Sequence, residues 1–176
     1  LRFKKDLAID ALGSIIITLW NGNDVLSECL DSLKKTVYPN FEIIVVDNAS
    51  TDGSGDWIKN HHPQIKLIKN DKNYGYAGGC NRGVLHADGE LVVFLNNDTV
   101  QDKYWLSNLV SFINSHPDCA AVQPKILNYY ERNRFDYAGG SGGHMDVLCY
   151  PFARGRIFLE QEIDSGQYDN DDRCFW

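Results

Sequence analysis

The stretch Leu91-Val-Val-Phe-Leu-Asn-Asn-Asp98 limits the fold of this chain more than any other. Five consecutive apolar residues, rich in β-branched and aromatic types, run without a break into two amides and a carboxylate. Such a run reads as a strand buried on both faces, the usual state of a strand inside a parallel sheet. In open α/β sheets the loops leaving the C-terminal ends of the strands converge along one edge, where ligands bind. Asn96, Asn97 and Asp98 are thereby expected on a binding rim. A carboxylate there is a hard oxygen ligand that Mg²⁺ or Mn²⁺ accepts beside substrate phosphates, and Asn96 can bond a sugar hydroxyl or a metal-bound water. A plainer reading also stands: Asn and Asp are common turn formers, and the three residues could simply cap the next helix.

The rest of the chain repeats the pattern of strand, polar turn and helix. Residues 14–20 (Ser14-Ile-Ile-Ile-Thr-Leu-Trp20) read as a buried strand, and 21–24 as a turn able to cap a helix. Val25, Leu26, Cys29, Leu30, Leu33 and Val37 then recur at helical spacing. Pro39 ends that helix, and a second strand over 41–46 delivers Asp47-Asn-Ala-Ser-Thr-Asp-Gly53 to the same rim. A short helix is expected over 54–60 and a third strand over 65–68. The glycine-rich loop 70–79 follows, then a helix over 80–86, with the run at 91–95 as the central strand. Trp105, Leu106, Leu109, Val110, Phe112 and Ile113 mark another amphipathic helix, and 120–124 a last short strand. Alternation at this spacing implies βαβ crossovers, hence an α/β fold: a Rossmann-like, open, mainly parallel sheet with helices on both faces. From Tyr130 onward the sequence turns aromatic and glycine-rich, which reads as a loop or hairpin layer over the rim, with 157–159 a possible strand. The domain reading is 1–13 as an N-terminal lead or expression remnant, 14–127 as the ligand-binding α/β domain and 128–176 as the start of a further, glycine-rich region.

Charge and cysteine usage narrow the function. A net charge of -7 argues against nucleic acid as a partner. Five scattered cysteines without a Cys-x-x-Cys pair suggest neither a disulfide framework nor a zinc site, and fit a reducing cytoplasm. No apolar run reaches the length of a membrane span, although the basic lead Leu1-Arg-Phe-Lys-Lys5 could brush a membrane surface. Gly53-Ser-Gly55 lacks the third glycine of a dinucleotide fingerprint, no Gly-Lys-Ser/Thr occurs, and the run Gly139-Gly-Ser-Gly-Gly143 only superficially invites the Gly-x-Ser-x-Gly elbow of hydrolases. His61-His62 reads as a helix end, and His144-Met-Asp146 as a surface loop rather than a ligand pair.

Four motifs taken in order go further: Thr18-Leu-Trp-Asn-Gly22, Val45-Val-Asp-Asn-Ala-Ser-Thr-Asp52, Asn73-Tyr-Gly-Tyr-Ala-Gly-Gly-Cys-Asn-Arg-Gly83 and Leu95-Asn-Asn-Asp98. Over residues 14–124 they resemble the nucleotide-sugar domain of family 2 glycosyltransferases, which have the GT-A fold. Tyr137-Ala-Gly-Gly140, Tyr150-Pro-Phe-Ala-Arg-Gly-Arg156 and Gly166-Gln-Tyr168 resemble its rhamnosyltransferase-type members. The resemblance implies that Thr18, Trp20 and Asn21 hold a pyrimidine base, with Asp47 accepting its imide N–H, a pairing that suits uracil or thymine chemically. It implies that Asn73, Gly78 and Arg82 line the nucleotide pocket, that Arg82 meets the diphosphate, and that Asp98 holds a divalent Mg or Mn ion. Asn96 stands at the first position of the family's Asp-x-Asp motif, with Asn97 beside it. The implied reaction is inverting transfer of a sugar from a UDP- or dTDP-sugar to a glycan or lipid-linked acceptor, with peripheral membrane association conceivable. The family's base belongs to a carboxylate pair expected past Trp176. Asp164 in Glu162-Ile-Asp164 is the one similar residue within the chain, and Arg154 and Arg156 could face phosphate or acceptor. Two alternatives remain open: a nucleotide-sugar binding module without turnover, and a sugar-phosphate nucleotidyltransferase.

Overall fold

The computed structural model describes residues 10–136, 141–157 and 159–169. The basic lead at 1–5, the residues at 137–140 and the C-terminal stretch 170–176 lie outside them. Two compact units are present, Leu1–Ala120 and Ala121–Trp176.

In the first unit β1 (Gly13–Leu19), β2 (Phe41–Asp47), β3 (Lys66–Lys69) and β4 (Leu91–Asn96) form a parallel sheet in the order β3-β2-β1-β4. The crossovers carry α1 (Asn23–Leu33), α2 (Ser54–His61) and α3 (Gly75–Val84), and α4 (Trp105–Ser115) follows β4. Strand β1 sits between β2 and β4, and Ile15, Ile16 and Ile17 are wholly enclosed. Alternate residues serve opposite faces, as the pleat requires. Ile15, Ile17 and Leu19 pack with Leu26, Leu30, Ile58, Leu106 and Val110 from α1, α2 and α4. Ile16 packs with Ile44 and Val46 on the other face, where α3 lies. Helices thus cover both faces, as expected.

Three expectations need correction. Strand β4 is an edge strand of this sheet, not a central one, and its exposure alternates, with Val92 41% and Phe94 51% exposed. Because every position in the run is apolar, composition alone could not separate a one-sided strand from a two-sided one. Helix α3 begins at Gly75 rather than near Cys80. Its glycines serve close packing: a Cβ on Gly83 would stand 2.4 Å from Ile16 Cγ2, so α3 lies against β1 only because that position is bare. Residues 120–124 form no strand.

The second unit is built differently. It holds two short hairpins, β5 (Gly143–Met145) with β6 (Pro151–Ala153) and β7 (Arg156–Ile157) with β8 (Glu160–Gln161), and two isolated bridges outside them, Leu127–Phe135 and Arg134–Ile163. Phe135 is fully enclosed.

Candidate active site

The C-terminal edge of the four-stranded sheet gathers the sequence-derived residues of the first unit. Asp47 ends β2 opposite Leu19, and Asn96 ends β4 opposite Thr18, so one strand separates the two acidic loops. That places them about 10 Å apart across the sheet. Asp98 is exposed two residues past β4. The turn carrying it is fixed by backbone acceptance: Thr99 Oγ1 donates to the Asn96 carbonyl at 2.8 Å, and the Cys29 thiol points to the same oxygen at 3.7 Å. Burial pushes the Cys29 thiol up to about 11, so it stays protonated and acts as a donor. This turn does not cap α4. Asp102 accepts from Tyr104 N at 2.8 Å just before Trp105, and α4 carries no side-chain cap bond. The Asp98 carboxylate is therefore left at the rim.

The loops of the rim are tied to one another. Asn21, in the left-handed region at φ 51, donates its N–H to Ser50 Oγ at 3.0 Å, and its Oδ1 accepts from Thr51 N at 2.8 Å. Beside it Trp20 is 59% exposed, an open aromatic face. Thr18 is half-buried, with its methyl group where a Cβ on Gly79 would fall. Asn97 Nδ2 reaches Gly22, where a Cβ would stand 2.4 Å away. Asp52 stands just before α2 and binds its first residue, Ser54. The Ser54 hydroxyl, with the backbone N–H groups of Ser54 and Asn23, holds its carboxyl below the usual range.

Asp47 is only 4% exposed, and its Oδ1 accepts from Ser50 N at 2.8 Å. Its carboxylate shapes the loop from within and presents little surface to a ligand. Asn73 Oδ1 accepts from Gly75 N at 2.7 Å and so starts α3. Gly78 leaves room for Tyr74, whose Cβ would be 2.7 Å from an added methyl. Arg82 lies a full two turns along α3, but its side chain folds back toward the helix start, as helical side chains do. Its guanidinium covers the Tyr74 ring at 3.7 Å, and the Tyr74 hydroxyl donates to Asp71 at 2.8 Å.

Sequence reasoning missed Asn48 and Asn70. Asn48 is 3% exposed; it donates to the Gly75 carbonyl at 3.1 Å and accepts from Asn70 Nδ2 at 2.8 Å, coupling the second and third loops. An amide directly after a strand-ending carboxylate was the available signal.

In the second unit the suggested carboxylate pair is already engaged. Lys125 Nζ donates to Asp164 Oδ2 at 2.8 Å, and this bond holds the Asp164 carboxyl below the usual range. Glu162 Oε2 accepts from the Tyr168 hydroxyl at 2.9 Å. Asp164 is a weakened proton acceptor in this setting. Arg154 stands 5.5 Å from the Tyr168 ring, and Arg156 is half-buried in β7.

Among the described residues no cluster of three or more His, Cys, Asp or Glu side chains is arranged to hold a metal. A single exposed carboxylate fits a divalent ion bound mainly through substrate phosphates, not one caged by protein.

The family model for glycosyl transferase family 2 matches residues 14–166. The chain belongs to that family. It is 33% identical over 148 residues to the O-antigen biosynthesis protein RfbC of Myxococcus xanthus, covering 80% of this chain and 11% of that protein. It is 33% identical over 129 residues to the UDP-Glc:α-D-GlcNAc-diphosphoundecaprenol β-1,3-glucosyltransferase WfaP of Escherichia coli, covering 73% of this chain and 50% of that one. Among solved structures it resembles the mannosyltransferase PcManGT of Pyrobaculum calidifontis, in complex with GDP-Man and Mn²⁺, with a TM-score of 0.55 and 26% identity over 72% of this chain and 38% of that one. The fold is that of the GT-A glycosyltransferases. The chain spans half or less of the length of each of these relatives. The rhamnosyltransferase-type likeness is not among the features these relatives establish.

Proposed function

We propose that this chain is the donor-binding part of an inverting, metal-dependent glycosyltransferase, hexosyl or rhamnosyl in type, that uses a UDP- or dTDP-sugar in glycan or polysaccharide synthesis. The observation that carries the proposal is the exposed Asp98 on a rigid turn, on the same rim as Trp20 and the tied loops. Family membership, the GDP-Man and Mn²⁺ in PcManGT, and the UDP-Glc donor in the name of WfaP support it.

In this reading Trp20 stacks on the base and the loop Thr18–Asn21 meets it through backbone groups. Asp47, being recessed, acts by shaping the second loop, while any direct bond to the imide N–H is limited to its small exposed edge. Arg82, held over Tyr74, faces the diphosphate with Asn73 and Gly78 lining the approach. Asn96 and Asn97 meet the sugar or its bound water. Asp98 would hold the Mg²⁺ or Mn²⁺, which supplies neutralisation of the charge that grows on the departing diphosphate. The acceptor hydroxyl forms its bond to the anomeric carbon from the face opposite the leaving group. The bond to the diphosphate breaks with its electron pair, and the hydroxyl proton passes to a base. We assign that base to no described residue, since Glu162 and Asp164 are both engaged. This also keeps a second reading, a donor-binding module without turnover. The scattered cysteines, with no Cys-x-x-Cys pair, fit a cytoplasmic setting, and the acceptor is a glycan or a lipid-linked saccharide.

Calorimetry with UDP, dTDP and GDP, with and without Mn²⁺, tests the site. Binding of a pyrimidine diphosphate is expected to depend on Mn²⁺, and Asp98→Asn to weaken the metal-dependent part by about tenfold or more. Equal affinity with and without the ion, or an unaffected Asp98→Asn variant, defeats the proposal. Sugar transfer from the bound donor separates the enzyme from the module.

A further inference from the structure

A short chain of polar side chains ties the turn that carries Asp98 to α1. Thr99 Oγ1, which donates to the Asn96 carbonyl, itself accepts from Gln101 Nε2 at 2.7 Å. Gln101 Oε1 accepts in turn from the Ser32 hydroxyl at 2.6 Å, and Gln101 N donates to Ser32 Oγ at 3.2 Å. Ser32 lies on α1, is only 5% exposed, and reaches the Cys29 carbonyl with its hydroxyl at 2.8 Å. The Asn96 carbonyl is thus met from α1 by two routes: directly by the Cys29 thiol, and through Ser32, Gln101 and Thr99. Two further bonds join the residues after the turn to those just past α1. Val37 N donates to the Lys103 carbonyl at 2.7 Å, and Trp105 Nε1 to Thr36 Oγ1 at 3.1 Å. These hold the approach to α4, whereas the chain through Gln101 ends on the turn itself.

We propose that Gln101 is a positioning residue for the metal carboxylate: braced by Ser32, it holds the turn 96–99 in the form that presents Asp98 to a divalent ion on a nucleotide diphosphate. This role rests on the reading of Asp98 as the metal ligand given above. The brace works because its far end does not move. Ser32 is enclosed and fixed on a helix, so Gln101 leans on a packed element and not on another loop. Every member of the chain is an amide or a hydroxyl, so the brace sets geometry without altering the charge that attracts the ion. With one exposed carboxylate to offer, the protein's share of the coordination depends on that carboxylate being in place before binding. Fixing the backbone of one residue changes an equilibrium constant by roughly five- to thirtyfold. A turn that had to be ordered at each binding event would forfeit that factor. A residue that merely stabilised the fold would instead weaken every property of the unit together. The Trp105–Thr36 bond joins the same two segments further from Asp98, which makes Thr36→Val the control.

Two measurements on Gln101→Leu test the brace. Without nucleotide or metal, NMR relaxation is expected to show the amides of residues 97–100 falling from order parameters of about 0.85 to below about 0.6, while those of β1 and β2 stay rigid. Calorimetry with the tighter-binding of UDP and dTDP then compares affinity in Mn²⁺ with affinity in EDTA. The ratio of the two is expected to fall about fivefold in Gln101→Leu and in Thr99→Val, with the affinity in EDTA unchanged. Thr99→Ser, which keeps the hydroxyl, is expected to keep the ratio, and Thr36→Val to lower the melting temperature while leaving the ratio alone. Unaltered order parameters, an unaltered ratio, a loss shared equally by the affinity in EDTA, or an equal fall of the ratio in Thr36→Val each overturns the positioning role. Asp98→Asn distinguishes this from failure of the donor site. If neither nucleotide binds, or Asp98→Asn leaves the ratio as it was, the metal assignment falls and the positioning role falls with it, even where the turn loosens. If Asp98→Asn lowers the ratio and Gln101→Leu does not, the positioning role falls alone.

Discussion

The two units hold their shapes by different means. In the first, three consecutive isoleucines of β1 are wholly enclosed and two hydrophobic clusters cover the faces of one sheet. Burial of many side chains fixes the strands, and the rim loops inherit their positions from strand ends. In the second, among the described residues, one enclosed hydrophobic side chain stands at the centre. Phe135 meets the Tyr168 ring edge-on at 5.5 Å and the bare face of Gly155, where a Cβ would lie 2.4 Å from its Cγ. Its N–H donates to the Glu162 carbonyl at 3.1 Å. Lys125 bonds both Asp164 and Asp169. A shape shared among many contacts tolerates local change, whereas one resting on a single ring and a few ion pairs does not.

The largest expected effect follows directly. Phe135→Ala should cost about 3–5 kcal/mol, concentrated in the second unit. Hydrogen exchange read residue by residue should show the amides of Phe135, Glu162 and Asp164 losing protection while those of β1 and β2 keep theirs. Equal loss across the sheet would mean that the two units unfold as one.

Acid should separate the units in a second, milder way. In the first unit His62 is 4% exposed, and its buried Nδ1 has no hydrogen-bond partner. Burial, followed by Lys34, pushes its pKa below the ordinary 6.5, while Asp31 opposes the shift and His61 adds to it. A histidine that is harder to protonate when folded leaves stability whole above about pH 6.5 and removes it as the pH falls from there toward the lowered folded value. In the second unit the Asp164 carboxyl is held below 3.8 by the Lys125 bond. Its contribution is whole above that pH and is lost only as the pH falls through the lower folded value. Between about pH 6 and 4 the first unit should therefore weaken while the second holds. His62→Gln, tested by thermal melts across that range, should flatten the decline. A decline that begins only below pH 4 would show that His62 does not set it.

Much of the first unit could be read in the residues beforehand, for a physical reason. Residues 14–20 and 41–46 are largely apolar runs ending in polar turns, and such runs have few other uses than buried parallel strands. The order of four motifs was enough to suggest the family. What could not be read depends on tertiary contacts. Glycine lowers helix propensity, so Gly75, Gly78 and Gly79 looked like loop until Asn73 and the approach of Gly83 to Ile16 made them helix. Asp47 carries the same chemistry as Asp98, and only the fold decides that one turns inward to Ser50 and the other outward. The second unit lacked a periodic signal altogether, because hairpins of two or three residues are too short to show one.

The finest test compares two residues with the same backbone strain, Asn21 in the first unit and Cys149 in the second, at φ 51 and 64. Asn tolerates the left-handed region better than most residues, and here its side chain also holds Thr51 N. Asn21→Gly keeps the backbone free but removes that bond, a loss of about 1 kcal/mol or less at an exposed site. Asn21→Ala should cost about 1 kcal/mol more, since the methyl adds strain to the lost bond. Cys149→Gly relieves strain in the hairpin tip and should stabilise slightly or leave the unit unchanged. Opposite signs for the two glycine substitutions in chemical denaturation would show that the rim loop is held by a side chain and the tip by its backbone and Asp146. Because the Asn21 bonds join the two loops beside Trp20, Asn21→Gly should also lower nucleotide affinity a few-fold, whereas Cys149→Gly should leave it untouched. Equal effects of both substitutions on affinity would remove the reason to treat Asn21 as the tie between those loops.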